Sequence, residues 1–271
     1  DYGAQANKLI AAALIDSGAY KQLGYLCDTF GPRLSGSKNL EYALDWIISE
    51  MHQDGFDVVK GEPVKVPAWV RGAESATLIK PFKKDLAILG LGGSIGTPKH
   101  GIRADVLVVD SFAELETVKD KVKGNIVLFN APFTSYGETV QYRYKGASEA
   151  AKYGAVASMI RSVGSATLYT PHTGMMAYTE DIPRIPHAAL TIEDAIMLSR
   201  QQKSGEKIVI QLKMAASMEP DRWSRNIVAD LKGSENPDEI VVLGGHIDSW
   251  DVGQGAHDDG GGCVAAWYAV K

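Results

Sequence analysis

Two short stretches of the chain bring metal-binding residue types together. Gly244-Gly245-His246-Ile247-Asp248-Ser249 follows the apolar run Ile240 to Leu243, and Gly255-Ala256-His257-Asp258-Asp259-Gly260-Gly261-Gly262 comes shortly after it, with Asp258 ten residues beyond Asp248. A neutral imidazole is a good zinc ligand, and a neighbouring carboxylate can fix which ring nitrogen faces the metal. Two adjacent carboxylates in a glycine-rich loop repel each other and are costly to bring together unless a cation neutralises them. Taken alone, His-x-Asp is a weak signal, and a lone Asp-Asp pair reads as a solvated turn or a helix cap. The joint pattern is far more specific, because both pieces fall where a metal-dependent site would need them.

The elements around these residues supply that placement. Ile240-Val241-Val242-Leu243 is continuously apolar, as expected of a strand buried on both faces of an α/β sheet. Ligands gather at the carboxyl ends of such strands, and the two-residue period would put His246 and Asp248 on one side. The run Val264 to Val270 reads as the helix that follows the second stretch. Earlier, Ala4 to Ile15 and Lys38 to Met51 show helical spacing, with Leu40, Ala43, Leu44, Ile47 and Ile48 on one face. Between them Gly31-Pro32-Arg33-Leu34-Ser35-Gly36-Ser37 is dense in turn formers, and Ser35 or Ser37 could cap the second helix. Gly55 ends that helix, and Phe56 to Val66 alternates like a half-buried strand.

From about Ala76 the texture changes to short β-rich runs: Leu86 to Leu91, Ala104 to Val109, Ile126 to Phe129, Ala155 to Ile160 and Lys207 to Met214. One helix, about Thr139 to Tyr153, interrupts them, with Ala147, Ala150 and Ala151 as small packing residues. Ser224 to Leu231 and Glu239 to Gly244 then read as strands joined by the turn 233–237. The expected organisation is a first part at 1–77, an inserted domain at 78–218 and a return at 219–271, with no internal repeat.

Composition narrows the partners. The 271 residues carry 33 acidic and 28 Lys or Arg side chains, a net charge of −5, with no basic cluster that would track a row of phosphates. Nucleic acid is therefore not expected. No apolar run approaches the roughly 18 residues of a membrane span. Cys27 and Cys263 are too few for a disulfide framework; two free thiols or a single bridge both remain open. No Asn-x-Ser/Thr sequon occurs, and the start at Asp1 without Met fits a removed leader or an arbitrary beginning alike. Other candidates fall away: no Gly-x-Ser-x-Gly elbow surrounds Ser35 or Ser37, and Leu89-Gly90-Leu91-Gly92-Gly93 has Ile95 where a dinucleotide loop needs its third glycine. His172 in a loop reads as a surface group.

With Gly-Gly-His-x-Asp-Ser and Gly-Ala-x-Asp-Asp-x-x-Gly in hand, the sequence resembles the zinc-dependent exopeptidases that include bacterial leucine aminopeptidases and glutamate carboxypeptidases. The turn at 31–37, Leu89 to Gly92, Ser94 to Pro98, Tyr169 to Gly174 and Ser249-Trp250-Asp251-Val252-Gly253-Gln254-Gly255 carry the likeness along essentially the whole chain. The resemblance implies an α/β, mixed-sheet zinc-exopeptidase fold, incomplete at the C-terminus, with an inserted β-rich protease-associated domain. It implies that His246 binds one Zn2+, that Asp258 bridges two, and that Asp248 orients His246 without touching metal. It also implies a cis peptide at Asp258-Asp259, a homodimer, a secreted or lysosomal location, and hydrolysis of dipeptides or short peptides. The family's general-base Glu and remaining ligands would lie beyond Lys271, so this chain alone is expected to be inactive. The competing reading is a non-catalytic binding module or pseudoenzyme that uses the inserted domain.

Overall fold

The computed structural model describes residues 2–166 and 168–271. The chain divides into two compact units, Asp1–Ala68 with Pro220–Lys271, and Trp69–Glu219. The first unit opens with helix α1 (Gly3–Ile15), which has no buried residue; Leu14 and Ile15 are more than 80% exposed, at 81% and 88%. Helix α2 (Gly18–Tyr25) was not evident from periodicity and runs into a wider turn, Leu26–Phe30, that buries Leu26 and Cys27. Helix α3 (Lys38–Gln53) starts where the Ser37 Oγ accepts the Leu40 N–H at 3.2 Å, a cap that contributes about 1 kcal/mol. Its buried stripe is Leu40, Ala43, Leu44 and Ile47. Strand β1 (Val58–Val70) follows, running past Pro67.

The second unit is an eight-stranded mixed sheet. Its strands are β2 (Glu74–Lys80), β3 (Lys84–Leu86), β4 (Ile88–Gly90), β5 (Ile102–Val109), β6 (Ile126–Phe129), β7 (Ala157–Arg161), β8 (His187–Leu190) and β9 (Val209–Met214), in the order β3-β2-β9-β5-β6-β7-β8-β4. Strands β5 to β8 are parallel, and β9 and β4 run antiparallel to their neighbours β5 and β8. Because alternate residues face opposite sides, Ile126, Leu128 and Met159 face one apolar layer while Val127, Phe129 and Ile160 face another. The expected boundary at 77/78 falls inside β2, which belongs wholly to this unit. The expectation of a single helix in this stretch is corrected: α4 (Phe112–Thr117), α5 (Tyr136–Ala151) and α6 (Ile192–Lys203) are all present. Each begins at a hydroxyl cap, with Ser111, Ser135 and Thr191 accepting the N–H of Glu114, Glu138 and Asp194. Parallel strands need such crossovers, which is why both faces are covered. Ala147, Ala150 and Ala151 of α5 are buried, their small side chains letting the helix approach the sheet.

The chain returns to the first unit along β10 (Ser217–Asp230), which pairs only with β1 in a two-stranded ribbon. Arg225 of β10 reaches Asp45 of α3 at 2.7 Å and Glu41 at 3.2 Å, and Ser224 donates to Glu41 at 2.6 Å. Residues 240–243 overturn the expected buried strand. They form no strand, and Ile240, Val241 and Val242 are 82% to 86% exposed. Among the described residues no strand meets them, so their apolar side chains and their backbone groups face open space. The chain ends in helix α7 (Gly261–Val270), whose Trp267 sits against Trp46 of α3 at 6.3 Å and donates its indole N–H to Asp54 at 2.9 Å.

His187 in β8 is the most consequential buried polar group of the second unit. It is fully buried, with Nδ1 2.7 Å from the Ser158 hydroxyl and Nε2 3.3 Å from the Tyr142 carbonyl. Burial disfavours its charged form and lowers its pKa to about 4. The unfolded chain takes up this proton near pH 6.5 and the folded chain only near 4, so the unfolded state binds more protons in between. The contribution is full above about pH 6.5 and is lost as pH falls toward 4, amounting to about 3 kcal/mol. The His187 imidazole resonances are expected to stay fixed from about pH 7.5 to about 5. Substituting His187→Gln is expected to flatten the acid limb of a urea-stability profile; a free imidazole titrating near its ordinary value would contradict this.

Candidate metal centre

The centre is assembled from the first unit. A left-handed Gly255 (φ 60°) turns the chain into the tight turn Ala256–Gly260, closed by the Gly260 N–H donating to the Gly255 carbonyl at 2.9 Å. Asp258 and Asp259 have non-helical backbone angles within this turn, and the peptide bond between them is cis. The turn presents Asp258 to His246, whose Nε2 lies 2.9 Å from Asp258 Oδ1. On the other side of the ring, Nδ1 lies 3.1 Å from the Asp248 carbonyl and 3.3 Å from its carboxylate. Burial works to lower the His246 pKa, but the Asp248 carbonyl and the negative charges of Asp248 and Asp258 outweigh it and hold the imidazole above its ordinary value. The three side chains are solvent-accessible, between 47% and 76% exposed.

Asp259 has a different position. Its Oδ2 accepts the backbone N–H of His246 at 3.3 Å, which ties the two stretches together. A Cβ at Gly245 would stand 2.5 Å from that carboxylate, and one at Gly262 would stand 2.2 Å from it. Both glycines therefore permit a close approach that any side chain would block. Cys263 lies at the same place, its thiol pushed up to about 11 by burial and by the charges of Asp259 and Asp248 against the opposing effect of Arg33. It keeps its proton at neutral pH. Both cysteines are free.

Arg33 was not singled out from sequence, yet it meets every part of this segment. Its side chain is fully buried and donates to the carbonyls of Ile247 at 2.9 Å, Gln254 at 2.7 Å, Gly255 at 3.2 Å and Gly31 at 2.7 Å. Its backbone N–H donates to the Ser249 hydroxyl at 2.9 Å, and its carbonyl accepts the Ser249 N–H at 3.0 Å. Its sequence signals were its place in a turn-rich stretch and that stretch's part in the family resemblance, neither of which names partners more than two hundred positions away. His172 lies in the second unit, its Nδ1 3.1 Å from the Val163 carbonyl, apart from this cluster in sequence and contacts.

The donor chemistry fits zinc: an imidazole nitrogen and a carboxylate oxygen converge, and a second carboxylate backs the imidazole. The number does not complete a site. Among the described residues no group of three or more His, Cys, Asp or Glu is arranged to hold a metal. A cavity of about 500 Å³ adjoins His246 and Asp248, walled by Leu40, Leu44, Val64, Val66 and Trp267.

Comparison with known proteins gives the chain its relatives. Residues 226–271 match the model of peptidase family M28. The chain is 56% identical over 253 residues to carboxypeptidase Q of Xenopus laevis, an alignment that covers 93% of this chain and 54% of the relative. The crystal structure of a peptidase M28 precursor from Shewanella amazonensis superposes with a TM-score of 0.90 at 38% identity, covering 94% of this chain and 59% of that one. A zinc aminopeptidase from Bacillus subtilis shares the fold alone, with a TM-score of 0.67 at 22% identity over 93% of this chain and 56% of that one. The chain thus spans about half the length of the curated relatives it matches. It is a homologue of carboxypeptidase Q over 93% of its length, with residues 226–271 matching peptidase family M28.

Proposed function

We propose that the chain carries the first part of a two-zinc exopeptidase site, in which His246 binds one Zn2+, Asp258 bridges the pair and Asp248 orients the imidazole. The observation that carries this reading is the position of His246, with one ring nitrogen facing Asp258 and the other facing Asp248, inside the segment that matches peptidase family M28. When bound, zinc supplies Lewis-acid polarisation of a peptide carbonyl and acidifies a water. The protein's own part is positional. Asp248 holds the Nδ1 side of the ring through its carbonyl and carboxylate, leaving Nε2 directed at Asp258. Asp259 fixes the backbone of His246 instead of offering its oxygen outward. The residues of the general base and of the remaining ligands are not among these side chains, and closed zinc sites use about four ligands per ion.

The names of the relatives support a peptide substrate; that it is a dipeptide or short peptide, with release of an amino acid, rests on resemblance. The secreted or lysosomal location, the homodimer and the role of Trp69–Glu219 as a protease-associated domain belong to the same proposal, resting on resemblance. The pseudoenzyme reading draws support from the incomplete donor set, and zinc binding that depends on His246 and Asp258 is what favours the exopeptidase reading over it.

Two outcomes are expected. Zinc affinity of the 271-residue chain, read by competition with a chromophoric chelator, should fall most on His246→Ala and Asp258→Asn. It should fall less, by roughly tenfold, on Asp248→Asn, which keeps the backbone contact to Nδ1. Equal losses at all three positions would contradict the assigned roles. On a panel of dipeptides with added zinc, the 271-residue chain should stay at background while Xenopus carboxypeptidase Q serves as the reference. Turnover comparable to that reference would show that no further ligands are needed.

A further inference from the structure

The turn Gly31 to Ser37 enters the site through a single side chain. Arg33 is fully buried, and among the described residues its guanidinium meets no carboxylate in an ion pair; beside the Cys27 side chain and the more distant charge of Asp248, its partners are four backbone carbonyls. Three of the four belong to the site segment. The Ile247 carbonyl lies between His246 and Asp248, and the Gln254 and Gly255 carbonyls lead into the turn that carries Asp258. The reciprocal backbone pair with Ser249 adds two more bonds to the same stretch. Gly255 is matched to this arrangement: it is left-handed, and a Cβ there would stand 2.8 Å from Arg33 Nη2 and 2.3 Å from Ser249 Cβ.

We propose that Arg33 is a positioning residue for the metal centre, clamping the His246-Asp248 stretch and the approach to Asp258 into one register through a fork of carbonyl hydrogen bonds. The inference rests on the zinc exopeptidase reading for its purpose, though not for its geometry. An arginine suits the task because its planar guanidinium offers five N–H donors in fixed directions, whereas an ammonium offers three from one point. The charge itself works the other way. A cation beside a metal site repels the metal, so a purely electrostatic Arg33 would weaken zinc binding, and its removal would tighten it. Positioning predicts the reverse.

The test uses the 271-residue chain in three forms: unaltered, Arg33→Lys, which keeps charge and much of the packing, and Arg33→Ala with and without added methylguanidinium. Amide exchange is followed without metal at Ser249 and Gly260, whose N–H groups are bonded in this arrangement, and in α3 as the reference. Both variants should exchange faster at Ser249 and Gly260 by about tenfold or more, with α3 unchanged. Zinc affinity should drop in parallel, and methylguanidinium should restore both in Arg33→Ala. Three results would overturn the proposal: unaltered exchange at Ser249 and Gly260, zinc binding as tight as or tighter than in the unaltered chain, or equal loss of protection in α3. The last would mean that Arg33 holds the whole unit. Zinc binding that is insensitive to His246→Ala counts against the exopeptidase reading instead, and the metal-free exchange then judges the clamp by itself.

Discussion

Removing an ion from water costs several kcal/mol even after protein relaxation, and a buried charge is usually met by an opposite charge. Arg33 is met chiefly by oriented dipoles, with the Cys27 side chain and the charge of Asp248 adding to them. Four carbonyl oxygens at 2.7 to 3.2 Å surround its guanidinium, and burial lowers its pKa without depriving so basic a group of its proton. The desolvation cost is offset only while those carbonyls stay in place. The shape of 247–255 and the burial of Arg33 are therefore one condition seen from two sides. The left-handed turn at Gly255 belongs to the same condition, since its carbonyl is one of the four and a Cβ there would meet the guanidinium.

The two units solve the burial problem differently. Trp69–Glu219 encloses an eight-stranded sheet between helices, and its strands β6 and β8 are buried throughout and β7 as far as Arg161. The other unit has only a two-stranded ribbon, and such ribbons are marginal without a surface to rest on. Here α3 supplies it through Arg225 and its two acidic partners, and an aromatic group of Tyr25, Phe30, Trp46 and Trp267 gathers around α3. The uncovered remainder is the run 240–243 and the outer face of α1.

Local signals were legible and long-range ones were not. The His-x-Asp and Asp-Asp stretches could be recognised because their residues are near one another in the chain and their chemistry is distinctive. Ser37 could be recognised as a cap for the same reason. The helices α4 and α6 were missed although their caps follow a readable rule, a hydroxyl followed three positions later by an acidic residue at Ser111-Glu114 and Thr191-Asp194. Ile240 to Leu243 shows the opposite error. An apolar run specifies what it would bury against, while actual burial depends on neighbours that no local pattern contains. The role of Arg33 was illegible in principle, since its partners in the site segment lie 214 to 222 positions away.

That separation has a kinetic consequence. The residues that must meet at Arg33 bracket the whole of Trp69–Glu219, so their encounter requires a very long loop to close before any carbonyl reaches the guanidinium. The entropy of closure grows only slowly with length, but it is lost in advance of the contacts that reward it. Pairing of β1 with β10 brings the two ends of that loop side by side, which makes the remaining search local. During synthesis, the turn bearing Arg33 emerges long before its partners and must wait, with a solvated charge, until the ribbon has formed. Topology therefore favours an order in which the enclosed sheet and the ribbon form first and the site segment last.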